Sequence, residues 1–287
     1  MNIRNVLLAI ASVVVAGGVV SCGGGGGGGG GSTAPAPAPA APATVVRSAP
    51  SLTGAKETPP VMTSASGRGA VVVNPTTLEI TGGISFKDLT GPPLANPAGA
   101  HIHQGAAGVA GPIIIPLIVN SDNATATIPT GTTLTIAQYN ALLAGELYFN
   151  VHTAANQGGE IRDQITGTTG VTAGLATLNG AQEVPAVPTA ATGRGTVVVD
   201  SVTREIICGY VTHNVAGANA AHIHTGAPGV SGGITIGLNL GTNVATAAQG
   251  ATMTAGDLTA LTAGNLYFNV HNPTYPDGEI RGQIAVQ

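Results

Sequence analysis

The chain has no tryptophan, and aromatic residues make up only 3% of it. Sugars and bases therefore find few ring faces to stack on. Lys and Arg number 9 against 13 acidic residues, for a net charge of −4. No basic patch exists to neutralise phosphates, so nucleic acid is excluded as a partner. Cysteine is nearly missing as well, with only Cys22 and Cys208, which excludes a disulfide framework. With 8% charged residues, solubility falls to Thr, Asn, Gln and Ser, a surface suited to an exported protein.

The N-terminus reads as an address. Arg4 supplies a short positive region, residues 6–20 are apolar, and Val19-Val20-Ser21-Cys22 resembles the lipobox of a bacterial lipoprotein. That resemblance implies a signal peptide over residues 1–21, cleavage before Cys22 and lipid on Cys22, which would be the lipid anchor. The apolar stretch is too short for a spanning helix. Gly23 follows the cysteine where an Asp is absent, favouring the outer membrane or cell surface in an envelope with two membranes. Nine glycines and an Ala-Pro alternation follow. Such a segment buries too little apolar area to fold, so residues 22–50 are expected to be a disordered tether.

What remains is a tandem duplication. Ala100-His101-Ile102-His103 returns as Ala221-His222-Ile223-His224, and Leu147-Tyr148-Phe149-Asn150-Val151-His152 as Leu266-Tyr267-Phe268-Asn269-Val270-His271. The repeats are assigned to residues 51–167 and 176–287, each large enough to bury its own core. Six of the seven histidines belong to the repeated unit, so any chemistry must work twice. Cys208 has Gly82 as its counterpart and sits in an apolar run, so it reads as a buried small hydrophobe; unrepeated His213 reads as a surface or loop residue.

Short β-branched runs bounded by Gly, Pro and Asn recur throughout, and helical periodicity is confined to residues 136–144 and 255–263. The expected fold is all-β, two tandem immunoglobulin-like or Greek-key β-sandwich domains, with first-repeat strands near 69–73, 78–86, 99–103, 112–118, 147–152 and 160–165. Strand alternation places Tyr148, Asn150 and His152 on one face. Glu160, Arg162 and Gln164 fall on the matching face of the next strand, joined by a hairpin over residues 154–159.

His101 and His103 flank Ile102, so an extended backbone directs both imidazoles to one side. Imidazoles at i and i+2 of a strand have Cβ atoms about 7 Å apart, a bidentate grip on a metal that needs a third ligand. His152 is the candidate, and His222, His224 and His271 are the second set, with copper or zinc the metals that suit imidazole. Glu160 could add an oxygen or pair with Arg162, as Glu279 could with Arg281. A second reading of the same histidines is a hydrogen-bonded polar layer donating to backbone carbonyls. The loops over residues 104–111 and 225–232 are Gly-rich but lead into strands without a following Lys-Ser/Thr, so they read as connectors, not phosphate cradles.

Glu-x-Pro-x-Val, Gly-Arg-Gly, Ala-His-Ile-His-x-Gly-x-x-Gly, Tyr-Phe-Asn-Val-His and Gly-Glu-Ile-Arg-x-Gln-Ile occur in this order in both copies. This set resembles the CHRD domain, first described in chordin and widespread in bacterial exported proteins. The resemblance implies an extracellular β module without an established catalytic activity; growth-factor binding, chordin's own property, would transfer by fold analogy alone. The leading expectation is a lipid-anchored, non-catalytic cell-envelope module that binds an extracytoplasmic protein or ligand, with no catalytic residues. The alternatives are an envelope metal-binding protein with one three-histidine site per domain and, further off, a metal-dependent envelope enzyme.

Overall fold

A computed structural model describes residues 43–287. The expected signal peptide, Cys22 and the expected tether as far as residue 42 lie outside the described residues. The described residues form one compact unit.

The first repeat contains β1 (Val45–Thr53), β2 (Ser66–Val73), β3 (Ile80–Lys87), β4 (Ala100–Gln104), β5 (Ile113–Pro116), β6 (Ile118–Val119), β7 (Thr125–Thr127), helix α1 (Ile136–Leu143), β8 (Leu147–Val151) and β9 (Ile161–Gln164). The second contains β10 (Val171–Asn179), β11 (Thr192–Asp200), β12 (Ile206–His213), β13 (Ala220–Thr225), β14 (Ile234–Gly241), β15 (Val244–Ala247), α2 (Ala255–Thr262), β16 (Leu266–His271), β17 (Ile280–Gln283) and β18 (Ala285–Val286). Thr135 with Gln138 and Thr254 with Asp257 form capping boxes that start the two helices.

The all-β expectation is met, and the strands are antiparallel. In the second repeat the order β11-β12-β15-β14-β13-β16-β17-β10, with β10 also paired to β11, returns to its start. The sandwich is thus a closed, flattened barrel, which leaves no open edge in that ring. The first repeat follows the same circuit from β4 through β8, β9, β1, β2 and β3 to β7. Its counterpart of β14 is broken at Leu117 into β5 and β6. Two boundaries differ from the sequence reading. β1 begins at Val45, inside the stretch assigned to the tether, because Val45 and Val46 pair with Val73 and Val72. β10 begins at Val171, between the assigned repeats. Their Ser, Ala and Gly residues look linker-like, but the backbone ladder with the following strand captures them.

The Val-Val-Val runs explain how the repeats join. Val71 and Val73 enter the first core, and Val197 and Val199 the second. The alternate residues Ala70, Val72, Val198 and Ile207 meet Ala173 in a third apolar cluster between the repeats. Strands apolar on both faces are buried on both faces. Around this cluster Arg68 pairs with Asp200 and Glu205, and its counterpart Arg194 pairs with Glu79, the counterpart of Glu205. The contact is reciprocal, as in an isologous dimer. Tyr210, its hydroxyl pushed up to about 12 by burial, bonds Thr81 at 2.5 Å. A charge at the centre of this patch has no partner, so Val198→Asp is expected to uncouple the repeats. Calorimetry should then show two unfolding transitions in place of one, whereas an unaltered single transition would contradict the packed interface.

Candidate metal centre

β4 lies between β5 and β8, with His101 opposite Asn150 and His103 opposite Tyr148. Ile102 points into the core, so both imidazoles face outward. His152 follows the last residue of β8, diagonally across from His101. The three expected residues therefore come together, with ring centroids 5.4 Å (His101 and His103), 4.8 Å (His101 and His152) and 5.7 Å (His103 and His152) apart. His222, His224 and His271 repeat this at 5.3, 4.9 and 5.8 Å. In each triad one ring nitrogen per residue lies within 4.8 Å of the other two. An ion held tetrahedrally at about 2.0–2.1 Å sets its nitrogens about 3.4 Å apart, so closure needs at most about an ångström and a half.

The protons are placed by the backbone. His103 Nδ1 lies 2.9 Å from the Gly111 carbonyl, His152 Nδ1 3.0 Å from that of Gln157, and His101 Nε2 2.8 Å from that of Pro97. A carbonyl only accepts, so each of these nitrogens carries the hydrogen. The remaining three, His101 Nδ1, His103 Nε2 and His152 Nε2, are bare, buried and without a hydrogen-bond partner. The polar-layer reading and the metal reading are thus not rivals: one nitrogen of each ring meets the first and the other is free for the second. Ligating histidines are commonly oriented in this way by a bond from the other ring nitrogen. Burial lowers the pKa of all six imidazoles, His152 and His222 to about 4. At neutral pH they are uncharged, the ligating form.

Behind the triad stands a stack the sequence reading did not foresee. The Tyr148 ring stacks on His103, and the Arg162 guanidinium lies 3.4 Å over the other side of that tyrosine. Arg162 donates to the carbonyls of Ala106 and Val109 at 3.0 and 2.9 Å, and Gln164 to those of Gly105 and Gly145. The Gly-rich loop is therefore wrapped on a buried cation, and its last carbonyl, Gly111, orients His103. Arg281, Tyr267 and Gln283 repeat the arrangement on His224 and Gly232.

Three expectations are corrected. Glu160 neither pairs with Arg162 nor joins the triad. It accepts hydrogen bonds from Thr63, Thr153 and both the amide and hydroxyl of Thr90, at 2.7–2.8 Å. Burial raises its pKa, but these bonds outweigh it and hold the carboxyl below its ordinary value. It precedes β9, so strand alternation does not govern it. Glu279 likewise bonds Thr189 and Asn272, not Arg281. His213 is buried at the end of β12, not on the surface. Cys208 is buried with its thiol pushed up to about 12, as a small hydrophobe should be.

The carboxyls beside the Arg–Tyr stacks are Glu57 and Glu183, which the sequence reading used only as motif letters. Each is pushed up to about 7, by burial first, against the pull of Arg162 or Arg281. Gly159 and Gly278, at φ near +128, sit where a Cβ would lie 2.7 Å from the Glu57 or Glu183 Oε1 and about as close to Asn150 or Asn269. Only glycine fits there. Because the folded pKa lies above the ordinary value of 4.5, these carboxyls add stability below pH 4.5 that is lost as pH rises through about 7. The lowered histidines act oppositely, adding stability above 6.5 that is lost towards pH 4. Glu57→Gln with Glu183→Gln should therefore gain in Tm relative to the parent protein between pH 5 and pH 8. A difference independent of pH would contradict the buried carboxyls.

The family model described as CHRD domain matches residues 49–165 and 175–284. No curated protein and no solved structure matches the chain.

Proposed function

Because the chain belongs to the CHRD domain family, carrying the domain twice, we propose that it is a tandem binding module whose ligand is a metal ion, zinc or copper, one per domain. One observation carries this reading: in both repeats three neutral imidazoles bring ring nitrogens within 4.8 Å of one another, and in the first repeat backbone carbonyls take all three N–H groups and leave the facing nitrogens bare. Leaving bare buried acceptors costs about 1–3 kcal/mol each, a cost that an ion offsets. The triad His101, His103 and His152 would hold one ion, and His222, His224 and His271 the other. Arg162, Arg281, Glu57 and Glu183 would support the sites from behind. We read the protein as non-catalytic, retained at the cell envelope by lipid on Cys22, a placement supported by the lipobox-like run before that residue and the Gly/Ala-Pro segment after it.

Two experiments test these parts separately. Titration of the metal-free full chain with zinc should reach two equivalents, and His103→Ala or His224→Ala should each remove one. Binding well below one equivalent, or binding insensitive to both substitutions, would sink the metal reading. For the anchor, Cys22→Ser should move the protein from the membrane to the soluble fraction of the expressing cell; continued membrane retention would count against lipid attachment.

A further inference from the structure

The two triads match in ring spacing to 0.1 Å, yet they differ in cover and in where one proton sits. In the first repeat the connection between β3 and β4, residues 88–99, is tied down: Leu94 donates to the His152 carbonyl and Thr90 to Glu160. It delivers the Pro97 carbonyl to His101 Nε2, and His101 is buried. The corresponding connection between β12 and β13, residues 214–219, is half as long and brings no carbonyl to His222, which is only half-buried.

His222 Nδ1 lies instead 3.1 Å from His271 Nε2. His271 donates through Nδ1 to the Pro276 carbonyl at 3.0 Å, so its Nε2 only accepts and His222 Nδ1 carries the hydrogen. An ion entering here must break that bond, and His222 must give up the Nδ1 proton and take one on Nε2, where no carbonyl awaits it. In the first repeat all three lone pairs are already bare. His222, His224 and His271 moreover line a cavity of about 610 Å³ together with Glu183, Asn269 and Asp277.

We infer that the two centres differ in kind: the first-repeat triad is closed and preorganised, and the second-repeat triad is an open centre that binds its metal more weakly and takes a small anion as an additional ligand. This rests on the metal reading above. Preorganisation lowers the cost of binding, and oriented ligands are worth about 10- to 100-fold in metal affinity. The first centre should therefore bind about tenfold or more tightly than the second. The open position is the feature that separates reactive metal sites from sealed ones.

The test loads the full chain stepwise with copper(II) and titrates each state with azide, following the azide-to-copper charge-transfer absorption. The first equivalent should be silent to azide, and the second should give a band saturating at one azide per added copper. His103→Ala, which keeps only the second centre, should respond from its first equivalent; His224→Ala, which keeps only the first, should stay silent. Equal response at both centres, or a response confined to the first, would overturn the inference while leaving the triads as metal sites. Copper binding below one equivalent in the unsubstituted chain would overturn both, and because that protein carries no substitution, a folding defect cannot mimic the result.

Discussion

Each triad imidazole has two nitrogens and one strong obligation. In a buried site the ring's N–H must meet an acceptor, and wherever that acceptor is a backbone carbonyl, the backbone decides which nitrogen stays bare. Much of each repeat serves this placement. The Gly-rich loop brings Gly111 or Gly232 to one imidazole, and the turn after β8 or β16 brings Gln157 or Pro276 to another. Arg162 or Arg281 holds the loop by its carbonyls and presses a tyrosine against the imidazole that the loop orients. A cation buried without a directly paired carboxylate is an expensive device, and its presence in both copies is explained by the carbonyls it gathers.

The sites and the inter-repeat contact occupy opposite walls of each barrel. Following the ring from β2 and β3, which pack against the other repeat, the strands furthest around are β4 and β8, which carry the histidines. Joining the repeats therefore leaves both triads facing away from the contact. The same Gly-Arg-Gly motif serves the join, its arginine reaching across to the acidic residues of the other repeat. Its second glycine leaves room for Phe149 or Phe268, whose rings would stand 2.4–2.7 Å from an added Cβ.

Much of this is legible in the sequence. Period-two alternation alone puts His101 beside His103 and Ile102 in the core, and it puts His152 on the face of Tyr148 because nothing interrupts that strand. The duplication pointed to the six histidines that the fold gathers into two triads. What the pattern could not reach were groups placed by turns and tertiary burial. Glu160 stands outside the period of β9, and Glu57 acquires its character only from burial beside Arg162. Arg162 looked like half of an ion pair because its actual partners are carbonyls of a distant loop, which carry no sequence signal. Val45 and Val46 were hidden by a linker-like neighbourhood, and the double-sided valine runs revealed their purpose only when a second repeat was seen to cover them.

Metal binding by the two triads depends most directly on where six protons sit. Long-range ¹H–¹⁵N correlation spectra of the metal-free protein at pH 7 should show all six triad imidazoles neutral. His103, His152, His224 and His271 should carry hydrogen on Nδ1, and His101 on Nε2. On adding zinc, the bare nitrogen of each ring should shift, and at His222 the hydrogen should move from Nδ1 to Nε2. Charged rings at neutral pH, or hydrogens on the inward nitrogens of His103 and His152, would contradict it.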